Sequence, residues 1–177
     1  MLGKQMVDTL KRLASEGPHA VSALSWTDDG VRVIAVPSDA ADARIDLADL
    51  DRFSATLREL AVTRHAAPVV DDVRAWLSDH AAATIRALSF LEEPLAVWEL
   101  EESEGIAQLR SSPPHREESD VTYWEVVLSC AERPSATLAR YRWTPGMVER
   151  ERVEYPATFA LIGRMADALE RALTCEA

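Results

Sequence analysis

The residue types that most often catalyse reactions or bind metals are sparse in this sequence and lack the spacing that such chemistry needs. Four histidines occur, and no two of them stand four positions apart as in the H-E-x-x-H zinc motif. His80 falls on the apolar stripe of a helical pattern, which is typical of a core histidine. His115 stands near Glu117, Glu118 and Asp120, but a polar loop would not orient these groups as metal ligands. The sequence therefore predicts no metal site and no catalytic histidine.

The other reactive side chains also fit structural roles. The six glycines are too dispersed to form a phosphate-binding loop. Cys130 and Cys175 belong to no C-x-x-C pair, and we expect both to be reduced thiols. Carboxylates near position 100 would act as a catalytic pair only inside a cleft. As a strand edge that faces water, the same residues need no cleft. They are Glu99, Glu101, Glu102 and Glu104. We accordingly predict no cofactor and favour a non-enzymatic protein, although active sites can assemble from residues far apart in sequence.

Aromatic and arginine side chains give the clearest sign of a binding surface. Five tryptophans occur, and four of them fall in predicted strands, where most would anchor the core. If Trp98 and Trp124 face outwards near Arg140 and Arg142, they form a recognition surface, because Trp and Arg dominate interface hot spots. A different arrangement of Trp98, Trp124 and Tyr141 would line a ligand pocket between sheet and helices.

The first half of the chain has the pattern of a helix, a hairpin and two further helices. Helical spacing of apolar residues starts at Met6 and should stop at Gly17 and Pro18. A hairpin follows over residues 20–37 with its turn at Gly30, and a short strand is expected at 43–45. Apolar residues spaced three and four apart then predict a helix over 48–63 and a long helix over 69–92.

The second half is richer in strands. A hairpin over 95–113 turns at Gly105, and alternation over 122–128 and 137–143 predicts an antiparallel pair with one solvated face. On that face we expect Glu125 to lie across from Arg140 or Arg142. A closing helix starts near Pro156, and its apolar face must pack against the sheet or against another subunit. This face carries Phe159, Ile162, Met165 and Leu169.

Together these elements predict an α+β fold in which an antiparallel sheet of hairpins packs against amphipathic helices. We expect a single domain over residues 1–177. Its halves, 1–66 and 67–177, repeat a helix-and-hairpin order. That repetition indicates either a degenerate duplication or a common local pattern arising twice, and both interpretations lead to the same layered architecture.

The composition restricts the partners of this protein. Its 177 residues include 30 acidic and 19 basic side chains, a formal net charge of −11. Such a surface repels phosphate backbones and anionic lipids, so we predict neither a nucleic-acid nor a membrane partner. No apolar run is long enough to cross a bilayer, and the first residues do not form a secretory signal. We expect a soluble, cytoplasmic protein.

The order of the first elements resembles that of a known family. An amphipathic helix, the hairpin SALSWTDDGVRVIAV, the short strand ARIDL and the predicted helix over 48–63 follow one another. This order, in a small acidic chain, is similar to that of the type III secretion chaperones. The resemblance implies a dimeric cytoplasmic protein that holds an unfolded segment of a partner along a hydrophobic groove. The extra hairpin at 121–143 departs from the family pattern.

Three functions are compatible with these observations. The leading hypothesis is a non-enzymatic, chaperone-like or regulatory module that forms a homodimer and binds a partner protein through an apolar groove. Its predicted contact residues are Trp98, Trp124, Arg140, Arg142, Phe159, Ile162, Met165 and Leu169. The first alternative is a small-molecule binder or small enzyme with the tryptophan-lined pocket. The second is an acidic inhibitor that mimics nucleic acid through its glutamate cluster.

Overall fold

One antiparallel sheet of eleven strands forms the framework of the protein, and three α-helices lie against one of its faces. The computed structural model describes residues 1–174, and these counts refer to that range. The helices are α1 (Leu2–Glu16), α2 (Val73–Ala87) and α3 (Phe159–Thr174). The strands are β1 (Leu24–Trp26), β2 (Arg32–Pro37), β3 (Ala41–Leu50), β4 (Ser54–Arg64), β5 (Leu95–Glu101), β6 (Ile106–Ser111), β7 (His115–Glu117), β8 (Asp120–Ser129), β9 (Ser135–Trp143), β10 (Glu151–Val153) and β11 (Tyr155–Thr158).

The sheet is built from two four-stranded meanders that meet at the β4–β9 pair. The strand order is β1-β2-β3-β4-β9-β8-β6-β5, while β7, β10 and β11 pair with β8, β9 and β4. Each meander follows a helix, α1 in the first half and α2 in the second. The predicted α+β class with an antiparallel sheet is confirmed. Duplication of the halves 1–66 and 67–177 stays a prediction, with which this order of elements is compatible.

Apolar cross-strand neighbours define the face that the helices cover. Ile34 pairs with Ile45, which pairs with Leu60 on β4, and this row continues through β9 and β8 to β6. Its members are all buried: Ile34, Ile45, Leu60, Leu138, Val126 and Leu109. Because side chains alternate along a strand, the residues between them point to the opposite, outer face of the sheet.

The helix predicted over 48–63 is wrong, because this segment forms the end of β3 and nearly all of β4. The apolar spacing that imitates a helix in this segment comes from a β-bulge. Leu47 pairs with Leu57 and Asp46 with Glu59, so Arg58 is an extra residue on β4. A bulge lets two residues three positions apart face the same side. Leu57 and Leu60 therefore both reach the core with a separation that imitates a helix.

Helix α2 covers only Val73–Ala87, so the long helix predicted over 69–92 extends too far at both ends. Asp72 caps its start, with the side chain accepting a hydrogen bond from the Ala75 N–H at 2.9 Å. The predicted end of α1 at Gly17 and the hairpins turning at Gly30 and Gly105 are confirmed. No helix in the described range is long and apolar enough to cross a membrane.

Helix α3 packs against both other helices and against the centre of the sheet. The four residues of its predicted apolar face, Phe159, Ile162, Met165 and Leu169, are at most 3% exposed. Its polar side contacts the start of α1, where the backbone N–H groups of Leu2 and Gly3 donate to Glu170 and Asp167 at 3.1 and 2.7 Å. These carboxylates replace the missing cap of α1. Gly3 and Gly163 allow the two helices to lie close together, because a Cβ at either position would come within 3 Å of the other helix.

The register of β8 and β9 corrects one further expectation. Trp124 lies opposite Arg140, and Glu125 lies opposite Ala139, so Glu125 does not pair with Arg140 or Arg142. Trp124 and Arg140 belong to the helix-covered face, while Glu125 points to the outer face. Glu125 is nevertheless only 2% exposed, because residues that follow β9 cover it.

Candidate functional site

A pocket of about 460 Å³ opens on the outer face of the second meander. The pairing of Val121 with Trp143 and with Arg116 brings three strands together at this point. The lining residues come from the outward positions of β5, β6, β7, β8 and β9 and from the segment before β10. They are Trp98, Arg110, Arg116, Val121, Tyr123, Trp143 and Arg150, and we call them the outer-face pocket.

Trp98 reaches the outer-face pocket because β5 contains a bulge. Val97 pairs with Leu109 and Glu99 with Gln108, so Trp98 is an extra residue without a partner on β6. Bulges re-aim side chains in this way. The indole is 66% exposed, and its ring centre lies 4.8 Å from the guanidinium carbon of Arg110. A large aromatic ring is therefore held in solvent at the rim of the pocket.

A buried carboxylate holds two arginines in fixed positions. Arg110 Nε donates to Glu125 Oε2 and Arg150 Nη2 donates to Glu125 Oε1, both at 2.7 Å. Arg150 also donates to the Tyr123 hydroxyl at 3.2 Å. Hydrogen bonding to Glu125 raises the pKa of Arg150 above its usual value. Glu125 thus fixes the orientation of both guanidinium groups, and their charge compensates its burial.

Aromatic rings complete the support of these arginines. The Arg110 guanidinium carbon also lies 5.2 Å from the Tyr123 ring centre, in addition to its contact with Trp98. Arg150 stacks on Tyr141 at 3.8 Å. Such cation–π contacts leave the planar guanidinium edges available for hydrogen bonding. Arg110 and Arg150 are thus held by aromatic contacts as well as by hydrogen bonds to Glu125.

The outer-face pocket is locally positive in a protein that is negative overall. Its three guanidinium groups outnumber the single carboxylate of Glu125. Arg116 is exposed, and within residues 1–174 no acidic side chain forms an ion pair with it. Its neighbours Glu117 and Asp120 pair with each other across β7 and β8 and alternate to the other side of the ribbon. Two positive charges therefore remain available to an incoming anion.

The chain has no match among protein-family models, curated proteins or solved structures. The resemblance to type III secretion chaperones accordingly stays a prediction.

Among the predicted recognition residues, only Trp98 lies in the outer-face pocket. Trp124 is buried on the helix-covered face beside Arg140, whose guanidinium carbon lies 5.2 Å from its ring centre. Arg140 donates to both carboxylate oxygens of Glu93 at 3.0 Å. Arg142 is exposed and pairs with Glu151 at 2.9 Å. The predicted four-residue surface therefore does not form.

The predicted ligand pocket of Trp98, Trp124 and Tyr141 is wrong for the same geometric reason. Trp124 lies on the helix-covered face, whereas Trp98 and Tyr141 contact arginines on the outer face. The sheet itself separates them. The acidic turn of the β5–β6 hairpin is exposed, as a solvated strand edge would be.

Sequence reasoning missed most residues of the outer-face pocket. Arg110 lies in the return strand of the hairpin predicted over 95–113, whereas Arg116 and Arg150 fall in segments for which the sequence predicts no strand. One usable signal exists: Arg150 and Arg152 occupy alternate positions, as a strand with one polar face requires. Arg152 lies on that face, donating to the Tyr141 hydroxyl at 3.1 Å.

The remaining reactive groups have structural environments. His80 is 4% exposed and stacks on Trp76 with ring centres 3.8 Å apart, and burial lowers its pKa. Burial likewise raises the pKa of the Cys130 thiol, which is a free cysteine. Cys175 lies outside the described residues. Within 1–174, no group of three His, Cys, Asp or Glu side chains is placed to hold a metal ion.

Proposed function

We propose that this chain is a non-enzymatic protein-binding module that contacts its partner through the outer-face pocket. The observation that carries the proposal is the pair of exposed indoles, Trp98 at 66% and Trp143 at 40%, beside three arginines. Trp, Tyr and Arg are the residues that dominate binding energy at protein interfaces. Two largely exposed indoles that line one pocket are best explained by a partner that covers them.

The contact surface in this proposal differs from the apolar groove implied by the chaperone resemblance. A groove for an unfolded segment needs an exposed apolar face, and the apolar face of α3 is used by the core. We further propose that the partner is a protein, that the chain forms a homodimer and that it is located in the cytoplasm. Sedimentation velocity of the purified chain tests the dimer independently of the partner.

The test compares two exposed tryptophans that lie at different places on the sheet. Trp26 is 52% exposed and stacks with Arg32 at 4.9 Å, much as Trp98 stacks with Arg110, but it lies at the far edge of the sheet. Tagged wild type, Trp98→Ala and Trp26→Ala are used to capture proteins from a lysate of the source organism. Quantitative mass spectrometry then compares recovery at low and moderate salt.

We expect a partner protein that wild type and Trp26→Ala retain equally and that Trp98→Ala loses. Equal recovery of every captured protein by all three chains would contradict the proposal. A partner lost only at moderate salt, and from all three chains alike, would favour the acidic mimic, because screening weakens long-range attraction to its glutamates.

A further inference from the structure

We propose that the outer-face pocket binds a side-chain carboxylate in an acidic and aromatic segment of the partner protein. This inference rests on the proposed function and assigns the chemistry of its contact. Its first basis is charge. Both oxygens of Glu125 are engaged by Arg110 and Arg150, so the pocket retains the charge of two guanidinium groups without an anion to match them.

The available hydrogen-bond donors indicate where an anion would lie. Arg150 uses both terminal nitrogens on Glu125 and Tyr123. Arg110 uses Nε on Glu125 and Nη2 on Gln108, which leaves Nη1 available. Arg116 offers its whole planar fork, which matches the two oxygens of a carboxylate. Arg116 is therefore the principal contact and Arg110 the second.

The walls of the pocket indicate what accompanies the carboxylate. The indole of Trp98, the indole of Trp143 and the side chain of Val121 surround the arginines with apolar surface. A volume of about 460 Å³ fits one or two side chains and not a folded element. A glutamate or aspartate next to an aromatic residue would satisfy both the donors and the walls.

The surroundings disfavour a polyanion. The neighbouring β5–β6 turn carries exposed glutamates, and the whole chain has a net charge of −11. A nucleic acid brings one phosphate for each nucleotide, and the phosphates outside the pocket would meet this acidic surface. A single carboxylate would interact mainly with the arginines beside it, because screening limits more distant repulsion.

Two capped tripeptides, acetyl-Phe-Glu-Phe-amide and acetyl-Phe-Gln-Phe-amide, are the probes. The indole ¹⁵N–H signals of the full-length protein report binding, because the peptides contain no tryptophan. We expect the glutamate peptide at millimolar concentration to shift the signals of Trp98 and Trp143 and to leave that of Trp26 unchanged. The glutamine peptide should bind about tenfold more weakly, because charge-assisted hydrogen bonds are about twice as strong as neutral ones.

Arg116→Gln is the decisive variant, because Arg116 is exposed and is not among the hydrogen-bond or ion-pair partners of the buried Glu125. It should abolish the preference for glutamate, while Arg86→Gln on the exposed side of α2 should preserve it. Equal binding of both peptides to wild type would overturn the carboxylate assignment and leave the recognition surface standing. Tighter binding of an oligothymidylate, or no shift with any probe, would also overturn it. Failure of the proposed function is recognised separately, by unchanged partner recovery with Trp98→Ala.

Discussion

Replacing Gly163 with alanine sets helix propensity against helix packing, and the structure decides which effect is larger. In an isolated helix the change should stabilise by about 1 kcal/mol. In this protein a Cβ at position 163 would lie 2.6 Å from Val7 Cγ2 and 2.9 Å from the Gly3 carbonyl oxygen. The valine methyl can rotate away, but the backbone oxygen cannot move without shifting α1.

Overpacking of this kind costs about 1 to 3 kcal/mol. After the gain in propensity is subtracted, we expect Gly163→Ala to lower the free energy of unfolding by about 1 kcal/mol. Gly3→Ala should lower it further, because its Cβ would lie 2.2 Å from the Gly163 carbonyl oxygen and 2.5 Å from Asp167 Oδ2. That carboxylate also accepts the hydrogen bond of the Gly3 N–H at 2.7 Å.

Urea unfolding followed by circular dichroism measures these differences. Alanine and glycine variants of Ser78, an exposed residue in the middle of α2, give the propensity difference in this protein without any packing change. If Gly163→Ala were more stable than wild type by the amount that separates the two Ser78 variants, the close approach of α1 and α3 would be refuted.

Three further predictions concern buried ionisable groups. Burial lowers the pKa of His80 from 6.5, so protons bind preferentially to the unfolded chain. As the pH falls below 6.5, wild type should therefore lose more stability than His80→Leu in urea titrations. Parallel losses in the two proteins would contradict this prediction. Burial raises the pKa of Asp46 above 3.8, so this group destabilises the fold at neutral pH; Asp46→Asn should be more stable than wild type at pH 7, and the difference should shrink towards pH 4. Glu125→Gln leaves two guanidinium groups without their anion and should lower the free energy of unfolding, measured with urea, by about 3 kcal/mol. The exposed control Glu149→Gln should leave it almost unchanged. Similar urea midpoints for the two variants would contradict this prediction.

The turns and the alternating strands could be predicted from the sequence because their signals are local. Gly30 and Gly105 adopt φ of 81° and 64°, a conformation that glycine adopts readily, and both hairpins turn there. Alternation in β8 and β9 extends over enough residues to identify a strand pair. Strand β4 could not be predicted in this way, because the extra residue Arg58 changes a period of two into a spacing typical of a helix.

The candidate site could not be predicted, because its residues meet through pairings that are distant in sequence. Trp98 enters the pocket through a bulge, which composition does not indicate. Arg150 lies 25 positions beyond Glu125, in a charged segment without clear periodicity. The cross-strand neighbours in β8 and β9 depend on the register of the pair. A difference of one residue from the expected register places Ala139 opposite Glu125 and Arg140 opposite Trp124.

The contact between the two ends of the described chain also bears on its synthesis. The first turn of α1 obtains its caps from Asp167 and Glu170, and its apolar face packs on α3, which begins 143 positions after Glu16. At about 5–20 residues per second, translation takes on the order of ten seconds to cover that distance. Throughout this interval the nascent α1 lacks its packing partner, so the protein completes its fold only after α3 has left the ribosome.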